Sequence, residues 1–285
     1  GYSLDQVLEF DSEATIEALE DAISACGYKV KRIGNIKSLV KKLAAAESWD
    51  LVFNIAEGLC GSARESQIPC LLDSYRIPYT FSSSYTLAIC LDKAQTKRVI
   101  RDHGLQTCDF KVVEKLEDIQ KIEMGFPLFI KPIAEGTSKG VSALSIINDK
   151  NSLQKGCLEL LEKYQQSVLV ETFLPGREFT VGLIGGGCQT KVAGIAEVIL
   201  KENAEKRVYS AKNKEECETL VEYRNIKNDP VYGQLADLAI AAHVVEPDLH
   251  GVEAGFLNAL CALDQRLILQ KRFQAHINSR HGSSS

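Results

Sequence analysis

Near Gly104 the hydrophobic period of this chain changes, and that change limits the folds open to it. Before that point apolar residues recur at helical spacing, as in Ile16, Leu19 and Ile23, then Ile36, Leu39, Val40 and Leu43, then Ile68, Leu71 and Leu72. After it they gather into short extended runs at residues 110–113, 127–131, 141–147, 168–173, 178–184 and 192–200, interrupted by one helical stretch at 153–164. Helices mixed with strands of this length define an α/β protein. In the first part only the neighbourhood of Val30 and the run 50–55 read as strands; the second is apolar enough to be buried on both faces. Asp11 or Ser12 caps the first helix and Gly27 ends it. Residues 64–75 form a helix that Pro69 weakens, and 84–103 form one longer helix stopped by Gly104. Gly185, Gly186 and Gly187 mark a turn between two strands.

With 285 residues, 45% of them hydrophobic, the chain has enough material for two packed units at roughly 150 residues each. A formal net charge of -5 argues against a nucleic-acid partner, which calls for a clustered basic face. No apolar run approaches the roughly 20 residues that span a bilayer, so no membrane partner is expected. Nine cysteines are scattered without a C-x-x-C pair, which disfavours structural zinc and suits reduced thiols in a cytoplasmic compartment. The chain starts at Gly1 with no signal-peptide pattern and reads as a piece whose start is missing or processed.

The strongest local signal begins at Phe126. An apolar strand, Phe126-Pro127-Leu128-Phe129-Ile130, delivers Lys131 at its end, and the loop Glu135-Gly136-Thr137-Ser138-Lys139-Gly140 follows. Glycines let backbone N–H groups approach phosphate oxygens, while hydroxyls and lysines add donors and charge. The alternative is an ordinary strand followed by a solvated turn. Gly136 to Gly140 also matches G-x-S-x-G, but that nucleophile elbow needs a helix after it and a strand is expected here. The P-loop pattern G-x-x-x-x-G-K-[ST] does not occur.

A second signal lies at residues 167–181. A buried-type strand ends at Glu171, Pro175-Gly176 turns the chain, and another strand begins at Glu178. Two carboxylates flanking one hinge can accept hydrogen bonds from an adenine amino group or a ribose hydroxyl. Alone, such a strand–turn–strand unit with acids is common.

Together, in this order and spacing, the two signals resemble the ATP-grasp fold and within it the D-alanine–D-alanine ligase family. The resemblance runs over about residues 5 to 240 and includes Phe53-Asn54-Ile55-Ala56-Glu57-Gly58, Asp92-Lys93-Ala94-Gln95-Thr96-Lys97, Gly194-Ile195-Ala196-Glu197-Val198 and Tyr209-Ser210-Ala211-Lys212-Asn213-Lys214. It implies an N-terminal parallel-sheet domain at 1–90, a nucleotide-binding domain at 91–242, and an atypical tail at 243–285. By resemblance, Lys93 and Lys131 contact ATP phosphates, and Gly136, Thr137, Ser138 and Gly140 close over them. Glu171, Phe173 and Leu174 line the adenine pocket and Glu178 holds the ribose. Tyr209 and Lys214 lie on a mobile loop over the reaction, where Ser138 also serves. Lys97, one turn from Lys93, can share its face or be a solvated surface lysine. The implied chemistry is phosphorylation of one amino acid's carboxylate by ATP with Mg2+, followed by attack of a second amine. The substrates are small molecules, D-alanine by default, and a homodimer is usual for the family.

Three departures qualify the resemblance. The amino-terminal strand and glycine-rich loop that help many members bind the first amino acid are absent before Gly1. Glu57 stands where the family often has histidine, which suits a cationic group such as a substrate ammonium and signals a different amino-acid preference; a loop-capping carboxylate is the plainer alternative. The late aspartate and E-x-N that carry the family's magnesium have no counterpart after Ala242, so the metal ligands are unassigned. A truncated, alternatively spliced or frameshifted end is the explanation expected for this. His243 and Glu246 have the spacing of a ligand pair, but Pro247 points to a helix end. His250, His276 and His281 follow, and 256–273 could be one helix. Three functions stay open: the ligase, an ATP-binding module without turnover, and a ligase for another amino-acid pair.

Overall fold

A computed structural model describes residues 9–244. Helix α1 (Glu13–Ala25) starts at Ser12, whose side chain accepts from the Thr15 backbone N–H at 3.1 Å, and it ends before Gly27 at φ +90°. Helix α2 (Ile36–Ala44) is capped in the same way by Asn35. Its Leu39 and Leu43 join Val52, Ile68, Leu72 and Ile77 in the first core. A short 3-10 turn at Arg64–Ser66 leads into α3 (Gln67–Ser74), and Pro69 is tolerated there because it lies in the first turn.

Two strands expected in this part do not form. No strand is assigned around Val30, and the run 50–55 reduces to one parallel bridge, Val52 with Tyr79. Leu51 and Phe53 on either side are 46% and 42% exposed. Val52 donates to Pro78 and accepts from Thr80, so only one edge of the run has a partner among the described residues. The expected long helix is likewise two: α4 (Ser84–Leu91) and α5 (Lys93–Asp102). Asp92 between them has ψ 102°, and its carboxylate caps α5 by accepting from Ala94 and Gln95 at 2.9 and 3.0 Å. A cap of this kind ends one helix and starts the next, and hydrophobic periodicity does not register it.

The remainder carries two antiparallel sheets. Strands β1 (Phe110–Val113), β2 (Leu128–Pro132), β3 (Ile146–Ile147) and β4 (Val168–Thr172) lie in the order β1-β4-β2-β3, with α6 (Lys150–Tyr164) against one face. The run expected over 141–147 yields only β3, since a 3-10 turn occupies 143–145. Strands β5 (Glu178–Ile184), β6 (Lys191–Leu200) and β7 (Val221–Asn225) form the second sheet, with short helices α7 (Ala211–Glu215) and α8 (Cys217–Leu220) between β6 and β7 and α9 (Tyr232–Val244) after them. The triple-glycine turn joins β5 to β6, as the sequence implies.

Period-two alternation decides what the first sheet offers. Leu128 and Ile130 of β2, with Val168 and Val170 of β4, face α6 and pack on Leu153 and Cys157. Phe129, Lys131 and Glu171 therefore face the other way. Phe129 pairs with Glu171 and Lys131 with Leu169, so Lys131 and Glu171 are diagonal neighbours on one face, within reach of a long side chain.

Candidate functional site

On that face one carboxylate meets two lysines. Glu171, 0% exposed, lies 2.6 Å from Lys131 and 2.9 Å from Lys97, whose side chains are 6% and 1% exposed. Lys97 also donates to Thr107 Oγ1 at 2.9 Å and to Cys108 Sγ at 3.1 Å, and the Cys108 thiol donates to Glu171 at 3.4 Å. Burial alone would push the Glu171 carboxyl up, but the two ammonium groups outweigh it and hold the acid below its usual range. Burial would lower Lys97, and Glu171 reverses that. Burial and the adjacent carboxylate push the Cys108 thiol up to about 11, so it stays protonated. The cluster thus buries two positive charges against one negative. A buried excess of positive charge favours an anion.

The glycine loop starts one strand-end away. Thr137, Ser138 and Gly140 all have positive φ, at 49°, 57° and 77°. For a β-branched residue such as Thr137 that conformation is strained, and strain of this kind collects in ligand-holding loops. Gly140 has no substitute: a Cβ there would lie 2.5 Å from Pro132. Lys93 Nζ reaches the loop's first turn and donates to the Glu135 carbonyl at 2.6 Å. Lys139 pairs with Glu135 at 2.7 Å, and the Gly136 N–H donates to Glu9. Arg64 donates to Ala134 O at 2.8 Å and pairs with Glu9 at 3.2 Å.

Beside this loop lie three carboxylates, Glu9, Glu57 and Glu65, with ligand oxygens within 4.8 Å of one another. Burial, then the charge of Glu57, pushes Glu65 up to about 7; Arg64 and Lys93 pull the other way. Such a group can receive a cationic head.

A further loop, 201–215, covers the face. Val208, 1% exposed, packs on Phe129 and Phe173, which stack 6.2 Å apart, and Arg207 lies over the Phe173 ring at 5.0 Å. Ser138 Oγ donates to the Tyr209 carbonyl at 3.0 Å, so the glycine loop and the covering loop touch. Tyr209 and Tyr223 share a hydroxyl hydrogen bond, and Lys214 lies 5.2 Å from the Tyr209 ring. Burial first, then Tyr223, raises the Tyr209 phenol above its usual range; Glu178, buried at the start of β5, adds to this. Leu174 is half-buried beyond Phe173.

The structure therefore gathers Lys131, Glu171 and Phe173 on one face, with the glycine loop touching the Tyr209 carbonyl, while the Tyr209 ring packs beside β6 and β7 with Lys214 against it. Lys97 is the residue that sequence reasoning undervalued. Lys97 turns to Glu171, whereas Lys93 donates to the backbone carbonyls of 133 and 135. A signal was present, because Ala94, Lys97 and Ile100 recur at helical spacing and all three are buried on α5. The expected His243–Glu246 pair falls partly outside the described residues: the His243 ring is hydrogen-bonded to Gly185 O at 3.1 Å, and Glu246 is not among them.

The family sequence model described as D-ala D-ala ligase C-terminus matches residues 99–247. The chain belongs to the D-alanine–D-alanine ligase family. A D-alanine–D-alanine ligase of Aquifex aeolicus is 30% identical over 227 residues, covering 79% of this chain and 72% of the relative. One from Sinorhizobium fredii is 31% identical, covering 72% and 63%. Among solved structures, the D-alanine–D-alanine ligase of Bacillus anthracis complexed with ATP superposes with a TM-score of 0.61 at 22% identity, over 86% of this chain and 75% of that one. A D-Ala:D-Ser ligase, VanG of Enterococcus faecalis, gives 0.52 at 19%, over 67% and 55%. These likenesses establish the ATP-grasp fold. The chain spans from about half to three quarters of the length of the sequence relatives it matches. No helix among the described residues is long and apolar enough to cross a membrane.

Proposed function

We propose that this protein is an ATP-dependent carboxylate–amine ligase that joins two amino acids, with D-alanine as the default substrate. The observation that carries the reading is the buried excess of positive charge at Lys97, Glu171 and Lys131, at the mouth of a strained glycine loop. Lys131 and Lys93 hold phosphate oxygens, and the N–H groups and hydroxyls of Gly136, Thr137, Ser138 and Gly140 close over them. Glu171 accepts from the adenine amino group, Phe173 and Leu174 line the base, and Glu178 takes the ribose. Glu57, with Glu9 and Glu65 beside it, receives a substrate ammonium. The acyl phosphate formed by attack on the γ-phosphate must be kept from water, and Tyr209 and Lys214 on the covering loop suit that task.

Magnesium on the phosphates would offset charge as the carboxylate approaches. Its late ligands are unassigned, and among the described residues the carboxylates at 9, 57 and 65 form a group that could hold a cation. The site falls within a domain taken to run from about 91 to 242, with 1–90 on the substrate side. A cytoplasmic homodimer belongs to the same reading.

The test is ADP release by the purified chain with ATP, magnesium and D-alanine. D-alanine-dependent release supports the ligase. Folded protein that binds ATP without releasing ADP supports the second reading, a nucleotide-binding module. Release driven by another amino acid points to a different pair, as the acid at Glu57 suggests.

A further inference from the structure

Glu171 cannot serve the base as a carboxylate and release Lys131 to a phosphate without a second counter-ion. Lys131 closes on the carboxylate at 2.6 Å, and its other neighbour is the Phe129 ring, 6.0 Å away. To reach a phosphate it must leave Glu171. A fully buried carboxylate stripped of its cation would take up a proton or draw the lysine back. Lys97 is built differently. It comes from α5, not from the sheet, and it is fixed by Thr107 and Cys108 as well as by Glu171, with its side chain 1% exposed. Its position leaves it no route to a phosphate that does not abandon three partners.

We propose that Lys97 is a positioning residue: the fixed counter-ion of Glu171, which lets Lys131 transfer to the nucleotide phosphates while Glu171 stays ionised for the adenine amino group. The inference rests on the nucleotide reading above. The ionisable groups facing Glu171 are Lys97 from α5, Cys108 from the segment before β1, and Lys131 from β2. Cys108 is held as a neutral thiol, so Lys97 is the group that balances the carboxylate once Lys131 has moved.

The test is calorimetric binding of ATP and of adenosine to the full chain, wild type and variants, with melting curves as a control for folding. Without Lys97, Lys131 stays on Glu171. Lys97→Met is therefore expected to weaken ATP roughly tenfold or more and adenosine much less, so the ratio of the two affinities falls. Lys97→Arg keeps the charge and holds the ratio within about threefold of wild type. Adding Glu171→Gln to Lys97→Met frees Lys131 and brings the ratio back up. An unchanged ratio in folded Lys97→Met, or no recovery in the double variant, overturns the proposal. Should Lys97→Met not fold, Glu171→Gln alone decides: a raised ratio supports the transfer and a lowered one overturns it. Absence of ATP binding by the wild-type chain would instead sink the nucleotide reading, and this inference with it.

Discussion

Two charge networks in this protein look alike on paper and differ in kind. One is Lys97, Glu171 and Lys131, buried between α5 and the first sheet. The other is at the start of the second sheet, where Arg177 makes a two-pronged contact with Glu197 at 2.8 and 2.9 Å and a third with Asp229 at 2.7 Å, while Arg224 reaches Glu197 at 3.2 Å. Arg177 is 46% exposed and Arg224 57%. Water can replace either arginine around the buried Glu197, so the value of this network lies in geometry: it ties the Pro175-Gly176 turn to β6, β7 and the segment before α9. Water cannot enter the first, where each charge depends on the others. A buried and unbalanced cluster is a poor device for stability and a good one for holding an anion.

The comparison can be broken in order of expected effect. Glu171→Ala leaves two buried ammonium groups facing each other and should cost about 3–5 kcal/mol in urea unfolding. A loss near zero would mean that the cluster is hydrated after all. Lys131→Ala keeps the Glu171–Lys97 pair, so stability should change little while ATP affinity drops roughly 100-fold or more by calorimetry. Unchanged affinity would remove Lys131 from phosphate binding. Glu65 sharpens the contrast from a third place. Its carboxyl, raised to about 7, contributes stability below its unfolded pKa, near 4.5, that is lost as pH rises through 7. Glu65→Gln should therefore stabilise the protein by about 1–2 kcal/mol at pH 8, with the gain vanishing below about pH 5. A pH-independent difference would show that ionisation of the buried Glu65 carboxyl does not set it. Smallest of all, Arg177→Ala should lower the melting temperature slightly in dilute buffer and not at all in molar salt. A large, salt-insensitive loss would place that network with the buried one.

The sequence disclosed the second half of the molecule better than the first. Strands around Lys131, Glu171 and Glu178 were legible because each is a compact apolar run bounded by glycine or proline, and pairing within one sheet satisfies it. The run 50–55 has the same composition, yet among the described residues it finds one neighbouring edge, at 78–80, and composition carries no information about partners. Asp92 was read as part of a family motif and not as a helix break, because capping is a local event that leaves the apolar period intact. Lys97 was hidden by its type: a lysine is taken for surface unless something buried needs it, and the need lies 74 residues later in the chain, at Glu171.

Asn213 gives the covering loop a property of its own. The side chain is wholly buried and is spent on the loop itself: it accepts from the Glu205 N–H at 3.0 Å and donates to the carbonyls of Glu205 and Val208 at 2.9 and 2.7 Å. The loop is also held from outside: Ser138 donates to the Tyr209 carbonyl, Tyr209 bonds to Tyr223, Val208 packs on two aromatic rings, and Ala204 and Tyr209 pack with Val198, Leu220 and Val221. The internal staple at Asn213 does not depend on those outer contacts. The loop can swing as a finished piece, exchanging one set of contacts for another, and the disorder of a melted chain need not be created and removed on each cycle.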